Sequence, residues 1–125
     1  MPSISFKLQF ADAVESGRKR QTIRAPRNRP IKVGDPVYLF TGMRTKQCRR
    51  LGVGTCTETH SIEIDYRLRW KVAVDGRSLG YGEAHAIAMA DGFGFITDLV
   101  DFFEREHGLP FRGTLIRWKL EEKSC

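Results

Sequence analysis

The residues best suited to chemistry lie in one short run from Gly17 to Arg24. A threonine hydroxyl attacks a carbonyl only when a neighbouring base takes its proton, and a lysine amine acts as that base when burial or nearby cations lower its pKa. Lys19 and Thr22 are therefore a candidate base and nucleophile, which a carboxylate elsewhere would complete. The alternative, which spacing alone favours, is a loop that grips phosphate groups without chemistry.

The elements around this run follow from hydrophobic periodicity. The alternating segment Ile4–Phe10 predicts a half-buried strand, and Ala11–Ser16 predicts a short helix that Gly17 ends in a left-handed conformation. Residues 21–24 then predict a short strand, on which positions 22 and 24 point to the same face. The helix end, the glycine and the strand place Lys19 at the mouth of the cavity that this strand borders.

The rest of the chain predicts further strands followed by two helices. The predicted strands are Val37–Phe40, Leu51–Ile64 (one long strand or two short ones), Leu68–Val74 with a hairpin turn at Asp75-Gly76, and Thr114–Leu120, and the helices are Glu83–Ala90 and Phe95–His107. Sequential strands with clustered helices predict an α+β, mainly β fold with a mixed or antiparallel sheet. The number of strands predicts a small barrel with helices across its ends, in one domain of residues 1–125.

Positive charge is concentrated in the first half of the chain. The 125 residues carry 21 basic and 15 acidic side chains, a net charge of +6. Residues 1–50 carry twelve basic and three acidic side chains, whereas residues 51–125 carry nine and twelve. No acid occurs between Glu15 and Asp35, where the basic residues are Arg18, Lys19, Arg20, Arg24, Arg27, Arg29 and Lys32. Such a segment predicts attraction to a polyanion, nucleic acid above all, with a solvated basic loop as the alternative.

Composition and spacing argue against several other classes of protein. With 41% hydrophobic and 29% charged residues the chain is typical of a globular protein, and no stretch approaches the roughly 20 apolar residues that span a bilayer. The three cysteines have no framework spacing and no secretory signal pattern occurs, so we expect a cytoplasmic protein without membrane contact. Histidines and cysteines lack metal-ligand spacing, and phosphate-loop and dinucleotide motifs are absent, so we predict no metal and no cofactor.

Five short motifs occur in order along nearly the whole chain. They are Gly17-x-Lys19-x-x-Thr22-Ile23-Arg24, Ile31-Lys32-Val33-Gly34-Asp35-x-Val37-x-Leu39, Asp91-Gly92-Phe93, Asp98-Leu99 with Phe102-Phe103, and Leu115-Ile116-x-Trp118. Their order and spacing resemble the ASCH domain family of the PUA-like superfamily. The resemblance implies a β-barrel with peripheral helices, a cleft lined by the Gly-x-Lys motif, and a role in binding RNA or modified nucleosides.

The resemblance also implies an enzymatic alternative. Some members are amidohydrolases that remove the acetyl group from N4-acetylcytidine with a lysine, a threonine and a carboxylate, and others are ribonucleases. Lys19 and Thr22 match the first two, and Asp91 matches the acid, where the amidohydrolases have glutamate. The shorter arm weakens this alternative, because a displacement of about 1 Å costs ~100-fold in rate. The chain also has extra sequence around residues 41–50 and 67–81 compared with the compact amidohydrolases.

Two functions and a plainer alternative therefore follow. The first is an RNA- or nucleotide-binding module, in which an unpaired base stacks on Tyr38, Tyr81 or Trp70, although each of these rings has a core position as its alternative. Its phosphate-binding residues would be Arg18, Arg20, Arg24, Arg27, Arg29 and Lys32. The second is the amidohydrolase that uses Lys19 and Thr22. The third is an ASCH-type ribonuclease or an inactive interaction domain, and a monomer is favoured for each.

Overall fold

This computed structural model describes residues 2–121, which contain seven strands and three helices. The strands are β1 (Ser3–Phe6), β2 (Gln21–Arg24), β3 (Pro36–Thr41), β4 (Arg49–Tyr66), β5 (Trp70–Val74), β6 (Arg77–Ser78) and β7 (Phe111–Leu120). The helices are α1 (Leu8–Glu15), α2 (Tyr81–Ala90) and α3 (Ile96–His107). The fold is therefore α+β and mostly sheet, as the sequence predicted.

The strands form one mixed sheet. Its main path runs β1-β3-β4-β5-β6, and β7 pairs with both β4 and β2. The β1–β3 pair is parallel, with Ile4 opposite Leu39, whereas the β3–β4, β4–β5 and β5–β6 pairs are antiparallel. Among the described residues these pairings do not close the sheet into a barrel. The mixed sheet is confirmed, and the barrel remains an expectation.

The first strand is shorter than the alternating pattern predicted, because α1 begins at Leu8. Alternation holds only as far as Phe6, where β1 ends. Leu8, which a continued strand would bury on the same face as Phe6, is exposed, and the buried Phe10 and Val14 are four residues apart on α1. The prediction of a strand over residues 7–10 is therefore wrong. A spacing of four residues fits one face of a strand as well as one face of a helix.

The other predicted elements occur close to their expected positions. Residues 49–66 form one strand of 18 residues rather than two short ones. The hairpin turn lies at Asp75 and Gly76, whose φ angles of 50° and 83° are both positive, as a type I′ turn requires. The last strand begins at Phe111, three residues earlier than predicted.

The chain divides into two compact units, and each is described by itself. The first consists of Met1–Gln21, Ile31–Thr59 and Ile116–Cys125, and the second of Thr22–Pro30 and His60–Leu115. Within the second unit, α2 and α3 contribute to a hydrophobic core that includes Ile64, Val72, Leu99, Phe103 and Leu115. Ile23 of β2 belongs to the same core, so the core anchors the strand from which the candidate site of that unit is built.

Candidate functional site

In the first unit the chain leaves α1 at Gly17, whose φ is +83°. A side chain strains this left-handed conformation, and a Cβ there would lie 3.4 Å from Cδ1 of Leu120. Two residues later the backbone N–H of Lys19 donates to the carbonyl of Ala13 at 2.9 Å. The predicted helix end at Gly17 is confirmed, and it fixes the backbone of Lys19 against the end of α1.

Lys19 is buried, with only 3% of its surface exposed. Its Nζ lies 5.0 Å from the centroid of the Phe10 ring and 5.8 Å from that of Phe6. Both distances fall within the range in which the face of an aromatic ring attracts a cation. The amine is thus held among aromatic rings below the surface, and its position at the mouth of a cavity stays a prediction.

Sequence reasoning missed two buried polar side chains of the first unit. Gln21 is buried, and its Oε1 accepts a hydrogen bond from Nε of Arg117 at 3.3 Å. Trp118 is buried with its ring 5.9 Å from that of Phe6, and its Nε1 has no hydrogen-bond partner in the described part of the chain. The first motif accepts any residue at position 21. The signal in the sequence that could have identified Gln21 was therefore its position between Lys19 and Thr22.

The second unit brings Thr22 and Arg24 together. Both lie on β2, and Nε of Arg24 donates to Oγ1 of Thr22 at 2.9 Å, which confirms that they share a face. Thr22 is buried. Because its oxygen accepts this bond, the Thr22 hydroxyl keeps its own hydrogen for another acceptor. A guanidinium N–H aimed at the oxygen also stabilises negative charge there, which is what a threonine nucleophile requires.

Asp91 joins this pair electrostatically. It is the buried C-cap of α2, where its backbone N–H donates to the carbonyl of Ile87 at 3.0 Å. Burial lowers the pKa of the Arg24 guanidinium, the Asp91 carboxylate raises that pKa, and the Arg27 charge lowers it. The structure therefore collects Thr22, Arg24 and Asp91 in the second unit. Lys19 belongs to the first unit.

The other basic side chains of the acid-free segment point to solvent. Arg24 is partly buried, and the exposed ones are Arg18, Arg20, Arg27, Arg29 and Lys32. Nε of Arg18 donates to Oγ of Ser16 at 3.1 Å, and Nε of Arg20 donates to the carbonyl of Gly17 at 2.8 Å. Within residues 2–121, Arg18, Arg20, Arg29 and Lys32 form no ion pair with a carboxylate, so no acid of this part of the chain compensates their charges.

Several basic side chains outside the segment are held by acids. The ion pairs are Arg49 with Asp12 and Glu15, Arg67 with Asp65, Lys71 and Arg112 with Glu63, Arg77 with Glu83, and Arg117 with Glu58. Arg18, Arg20, Arg29 and Lys32 differ from these side chains, because they are exposed and no carboxylate of the described residues pairs with them.

Two of the three candidate stacking residues line the same cavity. Trp70, half-buried on β5, and Tyr81, exposed at the start of α2, both line a cavity of about 810 Å³ in the second unit. The Tyr81 ring stacks on His85, with 5.7 Å between ring centroids and 9° between planes. Tyr38 is half-buried on β3 of the first unit. The cavity was not predicted from the sequence.

No three histidine, cysteine, aspartate or glutamate side chains of residues 2–121 form a group that could hold a metal ion. None of the described helices is long and apolar enough to cross a membrane.

Comparison of the chain with models of known protein families, with curated protein sequences and with solved structures finds no significant match in any of the three. The resemblance to the ASCH family thus rests on the motifs of the sequence.

Proposed function

We propose that the chain is an ASCH-type module, a single domain on a small PUA-like barrel, that binds RNA or a modified nucleotide through the segment from Gly17 to Lys32. The observation that carries the proposal is that Arg18, Arg20, Arg29 and Lys32 are exposed and form no ion pair with a carboxylate of residues 2–121. Cations without an acidic partner bind phosphates at no cost in broken ion pairs. Arginines also match the geometry of phosphate oxygens with two parallel hydrogen bonds.

Charge at this density acts mainly through counterion release. Each phosphate contact displaces condensed ions from the nucleic acid, so the logarithm of the affinity falls linearly with the logarithm of the salt concentration. We therefore expect binding of a single-stranded RNA to weaken steeply with salt. For single strands the slope is about −0.7 for each phosphate contacted.

The test measures binding of a fluorescently labelled single-stranded RNA by anisotropy over a series of salt concentrations. Arg29→Ala and Lys32→Ala should each make the slope shallower by about 0.7. The matched control is Lys46→Ala, which removes an exposed lysine outside the segment and should leave the slope unchanged. Affinity that does not change with salt, or an equal effect of Lys46→Ala, would show that the segment is not the binding surface.

A second candidate function is hydrolysis of an acylated cytosine, which the hydrogen bond from Arg24 to Thr22 favours. In the reaction that the resemblance to the amidohydrolases implies, the Thr22 oxygen, or a water beside it, would attack the acetyl carbonyl of N4-acetylcytidine, with Lys19 as the proton acceptor and Asp91 as the acid of the set. The C–N bond then breaks and the proton passes to the amine of cytidine. If Thr22 attacked, one water hydrolyses the acetyl ester on its oxygen, which releases acetate and restores the hydroxyl; if water attacked, acetate leaves directly. Arg24 would stabilise charge on the threonine oxygen as the attack begins.

The assay follows cytidine release from N4-acetylcytidine by chromatography. Thr22→Val keeps the size of the side chain and should abolish release, as should Lys19→Ala, whereas Thr22→Ser retains the hydroxyl and should retain activity. Asp91→Glu restores the longer arm of the amidohydrolases and should raise the rate, by up to about 100-fold. Absence of cytidine above the Lys19→Ala background in both the wild type and Asp91→Glu would exclude this function.

A further inference from the structure

The cavity of about 810 Å³ in the second unit has no role in the function proposed above, and the Gly17–Lys32 segment contributes nothing to its lining. Its lining residues come from the β4–β5 hairpin, from the end of β6 and the start of α2 that follows it, and from the chain at the start of β7. Much of the lining belongs to residues 67–81, the extra sequence relative to compact amidohydrolases. The volume lies within the range of pockets that bind small organic ligands.

Two aromatic rings give the cavity a surface for a planar group. Trp70 packs on one side against the hydrophobic core, which holds the ring in place, and it remains half-exposed on β5. Tyr81 is exposed and is supported by the stacked ring of His85. Rings that are held rigid and partly exposed bind a base at little cost in conformational entropy.

The charged groups of the cavity present cations to solvent. Nζ of Lys71 and Nε of Arg112 each lie 2.8 Å from an oxygen of Glu63, and Nε of Arg67 lies 3.5 Å from an oxygen of Asp65. In each of these ion pairs the carboxylate side chain is less exposed to solvent than the cationic side chain. The Asp65 side chain is 14% exposed against 85% for Arg67, and the Glu63 side chain is 22% exposed against 77% for Arg112.

The tip of the β4–β5 hairpin adds a further cation and an apolar side chain. Arg69 is exposed and has no ion pair within the described residues, and it lines the cavity together with Arg67. Leu68, between these two arginines, is 98% exposed. A fully exposed leucine between two arginines is suited to a ligand that is apolar at its flat faces and negative along its backbone, as a nucleic-acid strand is.

We propose that this cavity binds an unpaired nucleotide of a single-stranded nucleic acid, with the base against Trp70 and Tyr81 and the phosphate against Arg69. The aromatic rings distinguish this ligand from an acidic peptide, which would use the cations and leave both rings in water. The site is separate from the Gly17–Lys32 segment, so it stands whether or not the function proposed above is correct.

The tryptophans of this chain allow a direct test. Trp70 is half-exposed and Trp118 is buried, and the chain has two tryptophans in all. A base that stacks on Trp70 should therefore quench part of the tryptophan emission. Titration with a short single-stranded oligoadenylate should give saturable quenching in the wild type and none in Trp70→Phe, whose affinity, measured by anisotropy of a labelled strand, should fall severalfold.

Charge variants provide a test that does not disturb the core. Arg69→Ala should make the dependence of affinity on salt shallower by about 0.7, whereas Arg105→Ala, an exposed arginine on α3 outside the cavity, should not. The Trp70 quenching should persist in Arg29→Ala and Lys32→Ala, so the two sites report separately. Quenching that is unsaturable, that polyglutamate or inorganic phosphate reproduces, or that survives in Trp70→Phe would overturn the proposal, as would equal effects of Arg69→Ala and Arg105→Ala.

Discussion

At the scale of the residue, one carboxylate, that of Glu63, forms ion pairs with two cations that line the cavity, Lys71 and Arg112. Oε1 of Glu63 lies 2.8 Å from Nζ of Lys71, and Oε2 accepts a hydrogen bond from Nε of Arg112 at 2.8 Å. The hydrogen bond from Lys71, followed by that from Arg112, lowers the pKa of Glu63. Since the acid stays ionised to lower pH than usual, it anchors both cations at the cavity under ordinary conditions.

Glu63→Gln should lower the melting temperature at pH 7 by a few degrees, because ion pairs whose cations are exposed to solvent contribute about 0–1 kcal/mol. A carboxyl whose pKa is lowered in the folded state contributes stability that is present above its ordinary pKa and lost as pH falls through the lowered value. The difference between wild type and variant should therefore shrink as pH falls below about 4. Thermal melting over pH measures it.

The matched control for that prediction is Glu104→Gln. Glu104 is an exposed carboxylate on α3 that forms no ion pair within residues 2–121. Its substitution should leave the melting temperature unchanged at every pH. A constant difference between wild type and Glu63→Gln from pH 7 down to acid pH would contradict the assignment of the effect to ionisation.

At the scale of the element, the close approach of β7 to β2 depends on Gly113. A Cβ at this position would collide with the carbonyl oxygen of Arg24 and would lie 2.7 Å from Cζ of Phe111. The obstacle on β2 is backbone, which cannot rotate away as a flexible side chain can. Because Thr22 and Arg24 lie on β2, this contact also positions the candidate nucleophile.

Gly113→Ala should destabilise the protein by roughly 1–3 kcal/mol, since the added methyl group must push β2 from β7. Gly82→Ala is the control, because nothing lies within 4 Å of a Cβ at Gly82, which is inside α2. That substitution should stabilise the protein by about 0.5–1 kcal/mol through helix propensity. Chemical denaturation measures both. Equal signs for the two variants would contradict the argument from close approach.

At the scale of the whole molecule, the sequence predicted what depends on neighbours along the chain. The end of α1 at Gly17 and the turn at Asp75-Gly76 were predicted because glycine tolerates positive φ, which the structure has at both. The face shared by Thr22 and Arg24 followed from the two-residue period of a strand. The strand over residues 7–10 was wrong because the apolar spacing there satisfied two periods at once, and the exposed Leu8 decided between them only in the structure.

What the sequence could not predict depends on pairing between distant segments. The parallel pairing of β1 with β3 joins Ile4 to Leu39, and no local pattern encodes such a partner. The cavity could not be predicted for the same reason, because its lining residues are scattered along the sequence from Glu63 to Arg112. From the sequence, Trp70 was a single candidate for stacking. In the structure, the antiparallel pairing of β4 with β5 and the start of α2 at Tyr81 bring a second ring and several cations to the same cavity. A basic run can therefore be found from composition, whereas a site of mixed aromatic and basic residues requires the fold.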